Sequence, residues 1–263
     1  MHLDVVDLRA FYYRTKLGRS AQRELQGALR RLWPETRGLT VVGFGFAAPM
    51  LRPFLKDAQR VLALMPGEQG VMPWPASGPN VSALVEETSW PLAAGTVDRV
   101  IVAHGLETSD RPGALLDEIW RVLAPGGQVI FIVPNRSGIW ARRDVTPFGY
   151  GRPYSFRQLE SQLAKFRFTS ERHAAALYAP PSHRRFWLQT AHFWEMLCQR
   201  FDPQFMAGAL LVVAVKQVYA RPPSEGLRVA VPGPLDMLGG LTLPTPEPVA
   251  GSGRTHESRS GCA

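Results

Sequence analysis

His104 stands directly after residues 100–103, a short apolar run without charge that reads as a strand covered on both faces. An imidazole titrates near neutrality, so at the carboxyl end of a strand it can take a proton from a bound molecule; the plainer role is a loop histidine bonded to backbone. Glu107, three residues on, can orient His104 or an acceptor, or simply be solvated. A second constellation is Gly43-Phe44-Gly45, which closes another apolar run at residues 39–42. Gly43 permits a tight turn and Gly45 lets backbone come close to a ligand where a Cβ would clash. Glu87 and Thr88 offer acceptors for an amine or hydroxyl. Arg142, Arg143 and Arg152, interleaved with Trp140, Phe148, Tyr150 and Tyr154, suit an anionic or flat molecule through bidentate contacts and stacking, and His183-Arg184-Arg185 has the same character. Each of these stretches also reads as a surface cover with solvated arginines.

The elements that must position these residues are clearest at residues 97–134. After the strand at 100–103, Pro112 suits the first turn of a helix, and Leu115, Leu116, Ile119, Val122 and Leu123 recur at spacings of three and four, giving one apolar stripe. Pro125 cannot continue the helix, Gly126-Gly127 allow a reversal, and residues 129–133 are again mostly β-branched. This is a β-α-β unit, so its strands lie parallel in one sheet. Asp98 reads as a structural hydrogen-bond partner at the start of that strand, and Glu118 with Arg121 as a surface pair.

Upstream, residues 1–37 read as an amphipathic helical extension with Leu17, Leu25, Leu29 and Leu32 on its apolar face, covering one edge of the sheet. Strands are expected at 39–42, 60–65 and 80–86, with a helix at 49–55 and a Gly/Pro-rich loop at 66–79. Downstream, Ser155 with Gln158 three residues later makes a capping-box start for a helix over 156–166. A sixth strand over 169–178, a helix over 186–200 and a seventh strand over 209–219 follow. The fold class is therefore α/β: a doubly wound, mostly parallel seven-stranded sheet. It occupies residues 38–220, behind the extension at 1–37 and ahead of a Pro/Gly-rich tail at 221–263 whose composition predicts disorder.

The wording Leu116-Asp-Glu-Ile-Trp-Arg-Val-Leu-Ala-Pro-Gly-Gly127, preceded by Val97-Asp-Arg-Val-Ile101, resembles the second half of the class I S-adenosylmethionine-dependent methyltransferase domain, in its small-molecule branch. The resemblance implies S-adenosylmethionine as cofactor and a small-molecule methyl acceptor. It places the cofactor against Gly43, Phe44, Gly45, Glu87, Thr88, Ala103 and His104, with His104 the candidate base. Glu87 falls where the family's acid meets the adenine amine, and Tyr12, Tyr13 and Arg14 fall where a lid would cover the methionine carboxylate, with packing as the alternative. Trp90 reads as a core plug or an adenine-stacking ring. Three departures stand against the pattern: Val41 replaces the acid ahead of the glycine loop, Ala47 replaces its third glycine, and no acid ends the second strand at Leu64-Met65-Pro66. Glu68 is the nearest carboxylate that could reach back to the ribose, at the wrong spacing. The two functions left open are a methyltransferase and a catalytically silent relative that binds a ligand or partner, because a fold does not by itself fix an activity. A nicotinamide enzyme is disfavoured, since Pro49 interrupts G-x-G-x-x-G and the ribose carboxylate is missing there too.

Composition bounds the rest. A net charge of +8 on 263 residues invites an acidic partner, but the basic residues are scattered and no RNA-binding signature or basic arm occurs, which argues against nucleic acid. The longest strongly apolar run, residues 207–215, is too short to span a bilayer, and Asp4 and Asp7 interrupt any signal-like start, so the expectation is a cytoplasmic protein. Cys198 and Cys262 support neither a disulfide framework nor a metal site. Oligomeric state is not legible.

Overall fold

The computed structural model describes residues 4–142, 146–182 and 206–217. Arg143, His183, Arg184, Arg185, the expected helix over 186–200, both cysteines and the tail lie outside the described residues. Seven strands form one sheet in the order β3-β2-β1-β4-β5-β7-β6, from β1 (Thr40–Gly45), β2 (Arg60–Pro66), β3 (Ser82–Val85), β4 (Val97–Ala103), β5 (Leu123–Pro134), β6 (Phe168–Ala176) and β7 (Ala209–Lys216). The first five run parallel and β7 lies antiparallel between β5 and β6. The chain winds from β1 outward through β2 to β3, then restarts on the other side with β4, so the switch point lies between β1 and β4.

The central strands are buried on both faces, which is why they read as continuous apolar runs rather than alternating ones. One face carries α4 (Pro112–Val122) and α5 (Phe156–Lys165); Leu115, Leu116, Ile119, Leu159 and Leu163 pack there on Val100, Val102, Val129 and Phe131. Ser155 accepts from the Gln158 N–H and Gln158 answers on the Ser155 N–H, the capping box expected from the spacing. The other face carries the N-terminal extension: α1 (Val5–Arg9), a π-turn at Ala10–Arg14, and α2 (Lys16–Leu32), followed after β1 by the short α3 (Ala48–Leu51). Thr15 caps α2, accepting from the Gly18 N–H. Leu17, Leu25, Leu29 and Leu32 are all buried, on Val41, Ile101, Ile130 and Val213, so the extension covers a face of the sheet and not merely an edge. Each buried leucine contributes roughly 1.5–3 kcal/mol, enough to make the extension integral to the core.

Two local expectations are corrected. Pro125, Gly126 and Gly127 do not form a separate turn: α4 passes directly into β5, and the register slips between Val97/Leu123 and Arg99/Gln128, so residues 124–127 bulge opposite Asp98, with Gly126 at φ +73°. The helix after β1 is shorter than expected, a single turn continued by a 3-10 turn at Arg52–Phe54, because Pro53 leaves no N–H to extend the ladder. Asp98 plays the structural part read from sequence, accepting the Thr40 N–H at 2.8 Å and so pinning β1 to β4.

Candidate functional site

The carboxyl ends of β1, β2, β3 and β4 make two adjoining regions of opposite character. At the ends of β2 and β3 a cavity of about 550 Å³ is lined by Pro66, Gly67, Glu68, Glu86, Glu87, Asp110 and Arg111. Four of these seven carry carboxylates, on a chain whose overall charge is strongly positive. Glu87 is half-buried and accepts a hydrogen bond from the Ser109 hydroxyl through Oε1. Thr88 is half-buried beside it, and Glu68 lines the same cavity, brought there by the loop after β2 despite its distance in sequence from the family's position.

The segment bearing Glu87 is held from behind. Glu118 accepts the Trp90 N–H through Oε1, while Arg121 donates to both Glu118 oxygens and to the carbonyls of Trp90 and Leu92. Glu118 is 7% exposed, so the expected surface pair is instead a strut inside the molecule. Burial pushes its carboxyl upward, but the Arg121 guanidinium and the Trp90 N–H outweigh it and hold the group below the usual range. Trp90 is the core plug of the two readings: it stacks on Phe44 with centroids 4.9 Å apart, and its indole N–H donates to the Glu87 carbonyl. The Phe44 side chain is thereby committed to the core.

At the switch point itself the crevice is closed by the chain. Residues 41–50 are buried throughout, and so are residues 101–109. A Cβ on Gly43 would meet the Leu51 side chain at 2.7 Å and Ala47 at 2.8 Å; one on Gly45 would meet the Ala103 carbonyl oxygen at 2.4 Å. Gly45 also sits at φ +76°. A side chain at either glycine would therefore meet the chain's own atoms. The Phe46 N–H donates to the Ala103 carbonyl at 2.8 Å, fastening the glycine loop to β4.

His104 is 2% exposed at φ +51°, a left-handed conformation that costs a β-carbon residue on the order of 1–2 kcal/mol. Its carbonyl accepts from the Gln69 amide and the Thr108 hydroxyl. On its ring, Nε2 lies 2.7 Å from the Tyr12 hydroxyl, and Nδ1 lies 3.2 Å from Glu107 Oε1. Glu107, for which both a solvated place and one beside His104 were open, is 2% exposed, and neither of its oxygens has a hydrogen bond of good geometry; nor has His104 Nδ1 or Gln69 Oε1. Burial, and then the Glu107 charge, hold the Tyr12 phenol well above its usual range, so it stays protonated and donates to Nε2. The one ring proton of a neutral His104 then sits on Nδ1, facing Glu107.

For Tyr12, Tyr13 and Arg14 the sequence left a lid or plain packing open; the structure separates the three. Tyr12 is fully buried on His104, Tyr13 is half-buried, and Arg14 is exposed. The basic aromatic stretch divides likewise. Trp140 and Phe148 turn inward, crossing edge to face at 5.6 Å with Phe148 against His104 at 4.9 Å, whereas Arg142 and Arg152 point to solvent. Sequence reasoning missed the Tyr12–His104–Glu107 array because Tyr12 and His104 are 92 residues apart and no periodicity links them.

Residues 27–131 match the model of a protein family described as a methyltransferase domain. The matched stretch is similar to a methyltransferase domain and spans less than half of the chain. A methyltransferase from Thermotoga maritima, dependent on S-adenosylmethionine and described as a possible histamine N-methyltransferase, has a similar structure, at 17% identity over 80% of this chain and 94% of its own, with a TM-score of 0.54. A second, from Mesorhizobium loti and also dependent on S-adenosylmethionine, is similar at 16% identity over 72% and 96%, with a TM-score of 0.50. The [4+2]-cyclase SpnF is similar to the same degree, at 18% identity over 77% and 83% and a TM-score of 0.54. No curated protein sequence matches. At these identities the likeness fixes the fold and not an activity or acceptor. Among the described residues, no cluster of His, Cys, Asp and Glu could hold a metal ion, and no helix is long and apolar enough to cross a membrane.

Proposed function

We propose that the chain is an S-adenosylmethionine-dependent methyltransferase acting on a small-molecule acceptor, with its catalytic unit over residues 38–220 and residues 1–37 as a cover. The observation that carries this reading is the acid-lined cavity at the ends of β2 and β3, set beside His104 and the glycine loop within the matched domain. The nucleoside end of the cofactor fits there: Glu68 supplies carboxylate oxygens for ribose hydroxyls, Glu87 has a second oxygen for the adenine amine, and Thr88 stands beside it. The backbone of Gly43, Phe44 and Gly45 with Ala103 forms the floor leading toward His104. The methionine end does not fit the crevice as closed, so the residues over His104 must yield for it.

S-adenosylmethionine supplies a methyl group on a sulfonium, whose leaving group is neutral and already activated. The protein's part is then positioning, exclusion of water, and removal of one proton from the acceptor. His104 Nε2 takes that proton, and Glu107 beside Nδ1 favours the imidazolium that results. Thermal unfolding with S-adenosylhomocysteine tests the reading. A ligand at a hundredfold over its dissociation constant adds about 2.7 kcal/mol to the folded state, a rise of roughly 5–10 °C for a domain of this size. A midpoint unmoved at millimolar ligand would sink it.

A further inference from the structure

The hydroxyl bound to His104 belongs to the protein, and its surroundings are those of a ligand. Tyr12 is 0% exposed on a π-turn, with its ring stacked on Phe46 (centroids 5.8 Å apart, 17° between planes) and crossed by Phe11 at 5.0 Å. Phe148 lies edge-on to the imidazole, with centroids 4.9 Å apart. A phenol therefore lies in an aromatic slot with its O–H on a base, and that base faces a buried carboxylate. A finished core pairs its buried polar atoms. Here both Glu107 oxygens, His104 Nδ1 and Gln69 Oε1 are left without hydrogen bonds around that slot.

Ahead of the turn the fastening is lighter than along α2, where eight of seventeen residues are buried. The helix before the turn, α1, has five residues with only Leu8 buried, and is tied to the domain through the Val5 N–H on the Gln69 carbonyl at 2.8 Å. Resting on the methyltransferase reading above, we propose that Tyr12 occupies the acceptor position: the natural acceptor is a hydroxyl on a flat aromatic ring, and it enters by displacing Tyr12 and the turn that carries it. Its O–H then lies on His104 Nε2 and its ring on Phe46, as those of Tyr12 do. In the reaction the acceptor oxygen forms a bond to the methyl carbon while the sulfur–methyl bond breaks, its electron pair returning to sulfur. The acceptor proton passes to Nε2, and the products are an aryl methyl ether, a neutral thioether and an imidazolium paired with Glu107. No oxidant or further reactant is needed.

The probe is 4-methylphenol, the tyrosine side chain as a free molecule, tested on the full chain against toluene. With S-adenosylhomocysteine present, 4-methylphenol is expected to raise hydrogen exchange over residues 5–14 of the wild-type chain at least tenfold. Tyr12→Ala is expected to bind 4-methylphenol at least tenfold more tightly than toluene, and His104→Ala in that background to erase the preference. Given S-adenosylmethionine, Tyr12→Ala should yield 4-methylanisole. If Tyr12→Ala does not fold, Tyr12→Phe keeps the ring and drops its bond to His104; it should bind 4-methylphenol more tightly than the wild type does. Equal affinity for 4-methylphenol and toluene, or for Tyr12→Phe no gain over wild type, overturns the proposal. So does S-adenosylhomocysteine binding with no ether formed by Tyr12→Ala. Failure of S-adenosylhomocysteine to bind wild type and both variants removes the methyltransferase reading instead, and with it this one.

Discussion

The mouth at the ends of β2 and β3 and the crevice between β1 and β4 lie side by side on one rim of the sheet, yet one is open and acidic while the other is shut and aromatic. The mouth keeps about 550 Å³ between loops that carry Glu68, Glu86, Glu87 and Asp110. The crevice is filled by Phe46, Tyr12 and His104, none more than 2% exposed. The difference teaches that the two ends of a ligand-binding edge can be governed by separate parts of a chain. Loops of the sheet shape the mouth, whereas a segment from outside the sheet, the N-terminal extension, decides whether the crevice is accessible.

Substitutions sharpen that contrast. Gly45→Ala should have the largest effect, because its Cβ would press on the Ala103 carbonyl at 2.4 Å while its backbone holds φ +76°. A loss on the order of 3 kcal/mol or more is expected in urea unfolding. A near-neutral result would mean that the crevice is looser than its packing. Leu29→Ala, under the extension, should cost about 2–5 kcal/mol, and a loss below 1 kcal/mol would show that the extension is not part of the core. Glu118→Gln should cost about 1.5–3 kcal/mol by breaking charged hydrogen bonds behind the mouth.

The same residue sets a pH dependence. Because the folded state holds the Glu118 carboxyl down, its stabilisation is full above the unfolded value near 4.3 and fades as pH falls through the lower folded value. Acid titration of stability should therefore steepen below about pH 4, and Glu118→Gln should flatten that limb; an identical acid limb in both proteins would contradict the strut. Smallest in stability is Glu87→Gln, within about 0.5 kcal/mol on this rim, with S-adenosylhomocysteine binding weakened about tenfold as one charged hydrogen bond is lost. Unchanged binding, measured calorimetrically, would take Glu87 out of the cofactor's contacts.

The fold was largely legible because its signals are local. The apolar stripe from Leu115 to Val122, the Ser155–Gln158 cap and the β-branched runs of β4 and β5 are set by neighbours within a few residues, and each formed where expected. The site was legible only in part. Glu87, suggested by a stretch of wording, and Glu68, at a spacing that spoke against it, both line the cavity at the ends of β2 and β3. Spacing could not choose between a solvated Glu107 and one beside His104, and it suggested a surface pair for Glu118 with Arg121; both glutamates are buried.

By itself the sequence determined the order of the elements and the parallel sheet, since period and punctuation act over a few residues and the crossover rule supplies the rest. It also marked the rim of the sheet where a ligand belongs. Only the tertiary structure decided that Gly43 and Gly45 serve packing, that the two carboxylates are inside, and that Tyr12 lies on His104. Those outcomes depend on which distant side chain reaches a given point first, and close packing allows one occupant at each.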